Sequence, residues 1–374
     1  MPKIVIIGGS YAGLKAVSTI YSTKTANLDV TVVSPSSHVY FNVAAPRLLV
    51  EPEKLSQTVF PVEEILNESS NGDAKFVQGL ATNVDFEKRE VHVDLAAGGE
   101  STLKFDILVI ASGTQAKWAG WKVNTSHEDA QKAILATNHA LKKALTVAIV
   151  GGGPTGVETA GEIAKEFPLA KVTLYTGADA PLAFAGPSLS VKATRKLENL
   201  GVQIINDLQI KEVLRKEHGG DTLVLDSGET RDYDVGLESF IAGPFSLYLP
   251  LSVKDEQGFV VTDGNLLVKG CNGVVAFGDI VSGSSKSIVD LKFGQLGIFT
   301  ATIKKLLQDV QNPGFLTKST DAESSYSPVK HTLAVPISRD GGVGMLYWVP
   351  LPSFLVWLGK ARTFMIELAR SNFM

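Results

Sequence analysis

The sequence of 374 residues has one cysteine, Cys271, and its six histidines are scattered. A single thiol cannot form a disulfide within the chain, a Cys-x-x-Cys redox pair or a multi-cysteine zinc site. No cluster of metal-ligating residues is apparent in the sequence either. We therefore expect Cys271 to be structural or incidental, and we expect chemistry that uses neither a metal nor a protein dithiol.

Long apolar runs and clusters of positive charge are also missing. No segment reaches the roughly 18 consecutive apolar residues that a spanning helix needs. The net charge is −4 without a basic tail, so no nucleic-acid partner is predicted. A strand pattern begins at Lys3, which predicts no signal peptide, and Pro2 follows Met1 where N-myristoylation requires glycine. The expectation is a soluble protein of the cytoplasm or of an organelle, the mitochondrion included.

A glycine-rich turn follows the first apolar run. Residues 3–7 predict a buried strand, an apolar stripe at helical spacing follows the turn, and residues 30–33 predict a second strand of a βαβ unit. In such a unit the turn and the helix N-terminus bind a dinucleotide pyrophosphate. The residues predicted to do so are Gly8, Gly9, Ser10, Tyr11, Ala12 and Gly13. Ser10 replaces the usual second glycine, and Ser34 stands where an acidic residue would bind the ribose.

A second copy of this pattern lies later in the chain. Residues 146–150 form an apolar run, and Gly151, Gly153 and Gly156 match the G-x-G-x-x-G fingerprint in full. A helical stripe and another strand, over 172–175, follow. Two fingerprints in the correct context predict two dinucleotide sites in one chain.

The choice between NADH and NADPH is left open. Thr176 ends the strand after the second fingerprint, so no acidic residue favours NAD. Lys192 and Arg195 could accept a 2′-phosphate, but they could equally be surface charges on a helix.

Two further segments indicate which site takes which cofactor. A buried strand ends in Ser112 and Gly113, and it resembles the A-T-G segment at which two-dinucleotide flavoproteins leave the FAD domain. Another strand ends in Gly278 and Asp279, and it resembles the second FAD fingerprint of those proteins, whose carboxylate accepts hydrogen bonds from the ribitol chain. The first site is therefore predicted to bind FAD, and the second NADH or NADPH.

The predicted fold class is α/β, with two Rossmann-type FAD/NAD(P)-binding domains of the glutathione-reductase kind and a small α+β C-terminal region. Residues 1–115 and 252–312 are predicted to form the FAD domain, with an antiparallel meander over 76–94. Residues 116–251 are predicted to form the NAD(P)H domain. In the C-terminal region, 313–374, we expect a polar loop over 317–327, strands over 331–337 and 344–349, and a terminal amphipathic helix.

The sequence also resembles the apoptosis-inducing-factor-like flavoproteins, most closely their factor 2 (ferroptosis suppressor) branch. The resemblance spans nearly the whole chain. Beyond the fingerprints, it is carried by the segments Phe41–Arg47, Phe76–Ala81 and Pro352–Arg362. It implies an FAD-dependent NAD(P)H oxidoreductase that reduces quinones, in a family with regulators of cell death among its members.

Several residue roles are implied by this resemblance. Gly8 to Gly13 would line the FAD pyrophosphate, Arg47 would face the flavin, and Ala81 would offer its backbone to the adenine. Asp279 would hold the ribitol. Lys122 is the nearest match to a functional lysine of the branch, and it would stabilise negative charge on reduced flavin or on a quinone oxygen.

Without a dithiol, electrons must leave the flavin directly for a quinone, a dye, oxygen or a redox protein. Glu158 and Glu162 are spaced i, i+4 after the second fingerprint, where like charges repel slightly. Glu158 is the candidate to point into the junction of flavin and nicotinamide. The alternative is that both glutamates favour the helix dipole or pair with Lys165.

The terminal helix and the function both have alternatives. An apolar stripe includes Phe354, Leu358, Ala361, Met365 and Leu368. A helix with this stripe would cover the flavin pocket or a dimer face, or lie in a membrane interface. The rivals to a quinone reductase are a reductase of an iron–sulfur protein and a redox-sensing interaction protein whose bound nucleotide controls dimerisation.

Overall fold

The computed structural model describes residues 1–217, 219–311 and 325–374. Its strands are β1 Lys3–Ile7, β2 Asp29–Ser34, β3 His38–Tyr40, β4 Val59–Pro61, β5 Lys75–Asp85, β6 Glu90–Leu95, β7 Glu100–Lys104, β8 Ile107–Ile110, β9 Thr114–Ala116, β10 Thr146–Val150, β11 Lys171–Tyr175, β12 Gln203–Ile205, β13 Ile210–Arg215, β14 Asp221–Leu225, β15 Thr230–Tyr233, β16 Val235–Glu238, β17 Ile241–Pro244, β18 Val274–Ala276, β19 Leu333–Pro336, β20 Gly342–Leu346 and β21 Val349–Leu351.

The α-helices are α1 Tyr11–Ser22, α2 Ala45–Leu48, α3 Val62–Ser70, α4 His127–Leu141, α5 Pro154–Glu166, α6 Pro187–Asn199, α7 Leu296–Gln311 and α8 Ser353–Val356. Asp290–Gln295 and Trp357–Ala361 are π-helical. Short 3-10 turns cover Asn42–Ala44, Pro52–Gln57, Ala119–Trp121, Ala183–Ala185, Leu251–Val253, Ile366–Leu368 and Arg370–Asn372. Within the described residues, no helix has the length and apolar character required to span a bilayer.

The larger sheet has the strand order β18-β8-β1-β2-β5-β6-β7. The strands from β18 to β5 pair in parallel, and the apolar runs of β1 and β8 are buried because helices cover both faces of a parallel sheet. β5 changes partner along its length: Lys75–Gln78 pairs with β2, and Gly79–Asp85 pairs with β6. The antiparallel meander predicted over 76–94 is therefore confirmed as β5, β6 and the following β7.

The second sheet is parallel, with the order β12-β11-β10-β16, and a three-stranded antiparallel sheet, β13-β14-β15, packs beside it. Together with the larger sheet this is the predicted α/β fold class with two Rossmann-type units. β18 joins the first sheet although it follows the second sheet in sequence, as a discontinuous first domain requires. The domain boundaries given above stay a prediction.

The C-terminal region differs from the expectation. A third strand, β21, completes an antiparallel sheet with β19 and β20, and the terminal segment is not one amphipathic helix. It breaks at Phe364 and Met365, whose φ angles are +52° and +58°. The predicted loop over 317–327 lies largely outside the described residues.

Arg47 gives the physical reason for this break. Its Nη2 donates to the carbonyl oxygen of Ala361 at 2.9 Å, and its Nη1 donates to that of Arg362 at 3.3 Å. In a continuous helix these carbonyls would accept bonds from N–H groups four residues later. The guanidinium replaces those donors, and the side chain of Phe364 packs beside it, with Arg47 Cζ 4.9 Å from the ring centroid. The terminal segment is thereby held against α2.

A buried ion pair anchors this guanidinium. Arg47 Nε lies 2.5 Å from Glu162 Oε2 on α5, and both side chains are 1% exposed. We expect Glu162→Gln to lower the free energy of unfolding by about 3 kcal/mol, because it leaves a buried charge without its bidentate partner. Urea denaturation checks this.

Lys165→Met is the matched control on the same helix. Lys165 pairs with Asp340 at 2.7 Å, but both side chains are exposed, so we expect a loss of at most about 1 kcal/mol. Equal losses in the two variants would contradict the structural role given to Arg47 and Glu162.

Candidate functional site

A cleft of about 470 Å³ runs past the carboxyl ends of the strands in both parallel sheets. This is where open α/β sheets bind ligands. It brings together most of the predicted site residues. Those that line it are Gly8, Gly9, Ser10, Tyr11, Ala12, Ala81, Ser112, Gly113, Lys122, Glu158, Gly278 and Asp279.

Five predicted residues do not line the cleft: Gly13, Arg47, Gly151, Gly153 and Gly156. Arg47 was expected to face the flavin, but the structure places its guanidinium in the buried contacts with Glu162 and the terminal segment. A side chain so fully engaged is not free for a ligand. Gly13, Gly151 and Gly156 serve the geometry of the turns.

The first turn depends on two close backbone approaches. Gly8 has a φ of +122°, and a Cβ there would overlap the carbonyl oxygen of Ala111. A Cβ on Gly13 would overlap the carbonyl oxygen of Gly8, so glycine lets α1 pack directly on the turn. α1 begins at Tyr11 without a side-chain cap from Ser10. Its first N–H groups are therefore available to an anion.

The second turn repeats this geometry. Gly151 has a φ of +119°, and a Cβ on Gly156 would overlap the carbonyl oxygen of Gly151. The Gly151 N–H donates to Tyr175 O at 2.8 Å, as the Gly8 N–H does to Val33 O at 2.8 Å. Pro154 and Thr155, at the start of α5, reach the cleft. Both fingerprints therefore direct a helix N-terminus towards the same cavity.

Lys122 and Asp279 form an ion pair in the cleft. Lys122 Nζ lies 2.8 Å from Asp279 Oδ2, and it also donates to Thr114 Oγ1 at 2.5 Å. Thr114 Oγ1 donates to the same carboxylate oxygen at 3.4 Å. Among the described residues, Asp279 Oδ1 therefore remains an open acceptor. An acceptor there suits the hydroxyl groups of a ribitol chain, although that role stays a prediction.

The two glutamates on α5, Glu158 and Glu162, each pair with a different basic side chain. Lys360 Nζ donates to Glu158 Oε1 at 2.6 Å, and both residues line the cleft. Burial raises the pKa of Glu158, and the charge of Lys360 opposes that rise. Burial also raises the pKa of Glu162, and Arg47 opposes it. The alternative pairing with Lys165 is not formed, since Lys165 pairs with Asp340.

The sequence reasoning missed two cleft residues. Lys360 was noted only within the segment Pro352–Arg362, and its contact with Glu158 joins residues 202 positions apart, which no local pattern indicates. Tyr40 was given no role. Its side chain lines the cleft and is 3% exposed, yet its hydroxyl has no partner among the described residues.

These features fit a bound dinucleotide. Burial raises the pKa of Tyr40, so its hydroxyl is a neutral donor, and among the described residues it has no acceptor. A buried unpaired hydroxyl is costly, and a polar ligand would satisfy it. The glycine turn and open helix N-terminus suit a pyrophosphate.

The comparison with protein families is decisive. A family profile described as pyridine nucleotide-disulphide oxidoreductase matches residues 2–295. The chain belongs to this family. It lacks the disulphide of the family's name, since Cys271 is the one cysteine in the sequence and does not line the cleft.

Relatives extend over nearly the whole chain. Oxidoreductase ptaL of Pestalotiopsis fici is 30% identical over 379 residues, covering 99% of this chain and 98% of its own. Human ferroptosis suppressor protein 1 is 26% identical, covering 97% of this chain and 94% of its own. The structure of NDH2 from Plasmodium falciparum in complex with NADH has a TM-score of 0.70 at 18% identity, covering 100% of this chain and 96% of its own.

These findings confirm the predicted resemblance and the predicted enzyme class, an NAD(P)H-dependent oxidoreductase. They also confirm FAD and a nicotinamide dinucleotide as its cofactors.

In the second site, Lys192 and Arg195 are exposed on α6 and do not line the cleft. Titration of the protein with NADH and with NADPH would therefore decide which nucleotide the second site prefers.

Two glycines of the second fingerprint allow a sharp test. A Cβ on Gly153 would meet nothing within 4 Å, whereas one on Gly156 would overlap Gly151 O. We expect Gly153→Ala to fold with an unchanged Tm and to bind NAD(P)H about tenfold more weakly, because the methyl group occupies space that the pyrophosphate needs. We expect Gly156→Ala to lose several degrees of Tm.

Thermal unfolding and binding titration separate the two effects. A Gly153→Ala protein with wild-type affinity for both NADH and NADPH would contradict this second site.

Proposed function

We propose that this protein passes two electrons from NAD(P)H through FAD to a quinone-like acceptor. The observation that carries the proposal is the Glu158–Lys360 pair in a cleft that both fingerprints adjoin. When bound, FAD would accept the hydride of NAD(P)H and return both electrons to the acceptor. With no thiol in the cleft, the transfer uses no protein disulfide. Relatives described as NAD(P)H-ubiquinone oxidoreductases, such as that of Solanum tuberosum at 24% identity, support a quinone acceptor.

The proton balance gives the Glu158–Lys360 pair a role. Reducing a quinone to a quinol takes up two electrons and two protons, and a hydride supplies both electrons with one proton. The second proton must come from a side chain or from water. Glu158 can hold a proton because burial raises its pKa. Lys360 Nζ, bonded to Glu158 Oε1, can donate a hydrogen bond to an acceptor oxygen.

The test follows the two half-reactions in the absence of oxygen. We expect NADH or NADPH to bleach the yellow protein and a quinone to restore its colour. In Lys360→Met the charge that opposes burial is gone, so the pKa of Glu158 rises further. The pH at which the rate of reoxidation changes should therefore move upward, and Glu158→Gln should remove that dependence.

Lys165→Met, an exposed lysine on the same helix, is the matched control and should keep the wild-type profile. Unchanged profiles in both cleft variants would contradict the role of the pair. Reoxidation by ferredoxin but not by a quinone would support the iron–sulfur reductase instead. Slow turnover with every acceptor, together with a nucleotide-dependent oligomeric state, would support the redox-sensing protein.

We also propose that the C-terminal region contacts a membrane, from which it collects a lipid-soluble acceptor. Although the terminal helix is broken, its region exposes an apolar surface beside the cleft. β20, β21 and α8 pack together, and β19 lines the cleft through Leu333, Ala334 and Val335. The exposed members of this C-terminal surface are Leu346, Tyr347, Trp348, Val349, Phe354, Leu355, Trp357 and Leu358. Tryptophan and tyrosine suit the boundary between water and lipid.

Vesicle binding tests this surface. Trp348 and Phe354 are 69% and 64% exposed, so replacing both with serine should cost little stability. We expect that double variant to lose at least tenfold in affinity for neutral lipid vesicles, because apolar area is no longer buried in lipid. Phe184→Ser, 63% exposed elsewhere, is the control and should bind as wild type.

Undiminished vesicle binding by the double variant would instead favour a different use of this surface, such as a dimer face, which sedimentation would reveal.

The human relative is named for the suppression of ferroptosis, and a role of this chain in cell death stays a prediction. Association with an organelle, the mitochondrion included, also stays a prediction.

A further inference from the structure

The main chain at the end of β18 is held by a side chain from the following helix. The Gly278 N–H donates to Gln295 Oε1 at 2.7 Å, and Gln295 Nε2 donates to Gly278 O at 3.4 Å. Gln295 is 1% exposed and does not line the cleft, whereas Gly278 and Asp279 do. Gln295 therefore contacts the turn at Gly278 and Asp279 from the side away from the cleft.

Asp290 determines which way the Gln295 amide faces. Its carboxylate can only accept hydrogen bonds, and Gln295 Nε2 lies 3.3 Å from Asp290 Oδ2. With the amide nitrogen turned to Asp290, the amide oxygen must face the Gly278 N–H. The opposite orientation would place two acceptors together at Asp290 and two donors together at Gly278.

The carboxylate of Asp290 is itself held in place, and the residue is fully buried. The Tyr326 hydroxyl donates to Oδ2 at 2.7 Å, the Val329 N–H donates to Oδ1 at 2.8 Å, and the Ser285 N–H donates to Oδ2 at 3.1 Å. These donors come from the loop before the helix and from the chain beyond it. The position of Asp290 therefore does not depend on Gln295.

The local sequence explains how the two side chains meet. Asp290–Gln295 is π-helical, and the i→i+5 pattern brings residues five apart onto nearly the same face. A Cβ on Gly294 would overlap Asp290 Oδ1, so glycine leaves room for the carboxylate to fold back over the turn. π-helical turns are frequent at functional sites, and this one packs against the turn that holds Asp279.

We propose that Asp290 and Gln295 are positioning residues for the FAD site, and that Asp290 acts through Gln295. Gln295 fixes both main-chain groups of Gly278, which sets the position of the adjacent Asp279 and of the Lys122 bound to it. The proposal rests on the binding of FAD at this turn and is independent of the electron acceptor.

The experiment measures the FAD Kd of reconstituted protein by the quenching of FAD fluorescence, and the Tm of each apoprotein. We expect Gln295→Leu to raise the Kd about tenfold, since two buried main-chain groups lose their partner. Asp290→Ala should do nearly the same, because Gln295 Nε2 then loses the carboxylate that determines which way the amide faces. The double variant should bind as Gln295→Leu does, because Asp290 then has no amide to orient.

Thr302→Val is the matched control on the same helix. It removes a buried hydroxyl that donates to Asn265 O at 2.8 Å, away from the cleft, so the Kd should stay within twofold while the Tm falls. If Gln295→Leu does not fold, Gln295→Met provides the same measurement, because its unbranched side chain is of similar length and has no amide to bond Gly278.

A wild-type Kd in the Gln295 variant, or full additivity in the double variant, would overturn the proposal. Such a result would leave the proposed function intact as long as the wild-type protein binds FAD and is reoxidised by a quinone. Failure of the wild type to be reoxidised, with the Kd changes as expected, would overturn the proposed acceptor alone.

Discussion

The buried guanidinium of Arg47 is the contact on which the geometry of the cleft depends. It joins α2, which belongs to the first nucleotide-binding unit, to Glu162 on α5, which opens the second. It also holds the carbonyls of Ala361 and Arg362. Lys360 directly precedes those carbonyls in the chain, and its ammonium group donates to Glu158 in the cleft. The segment that carries this cleft lysine is thus held by a residue that does not line the cleft.

The two glycine turns share the same local geometry. In both copies, glycine at the first position takes a positive φ, and glycine five residues later lets the helix pack on the turn. The surroundings then differ. The first turn lies beside Tyr40 and Asp279, which offer a hydroxyl donor and a carboxylate acceptor, whereas the second leads to Glu158 and its lysine. The shared turn explains two dinucleotide sites, and the differing neighbours explain why they would hold different cofactors.

Much of this fold could be predicted from the sequence because its signals are local. Buried parallel strands are short apolar runs, and the phosphate turns need glycine at fixed spacing, so both sheets and Gly8 to Gly13 follow from the pattern. Arg47, Lys360 and Tyr40 could not be placed in this way. Their roles depend on contacts between segments far apart in the sequence, such as the guanidinium of Arg47 meeting carbonyls more than three hundred residues later.

The terminal segment shows how such a contact overrides a local signal. The stripe from Phe354 to Leu368 is a sound helical pattern, yet two of its carbonyls are bonded to Arg47 and the chain turns away at Phe364. The break turns Phe364 into the core and leaves Phe354 and Leu358 exposed beside the β20–β21 hairpin. The Arg47 guanidinium therefore holds the terminal segment where the segment leaves its helical course, and the apolar C-terminal surface lies outside the cleft, next to the strand that lines it.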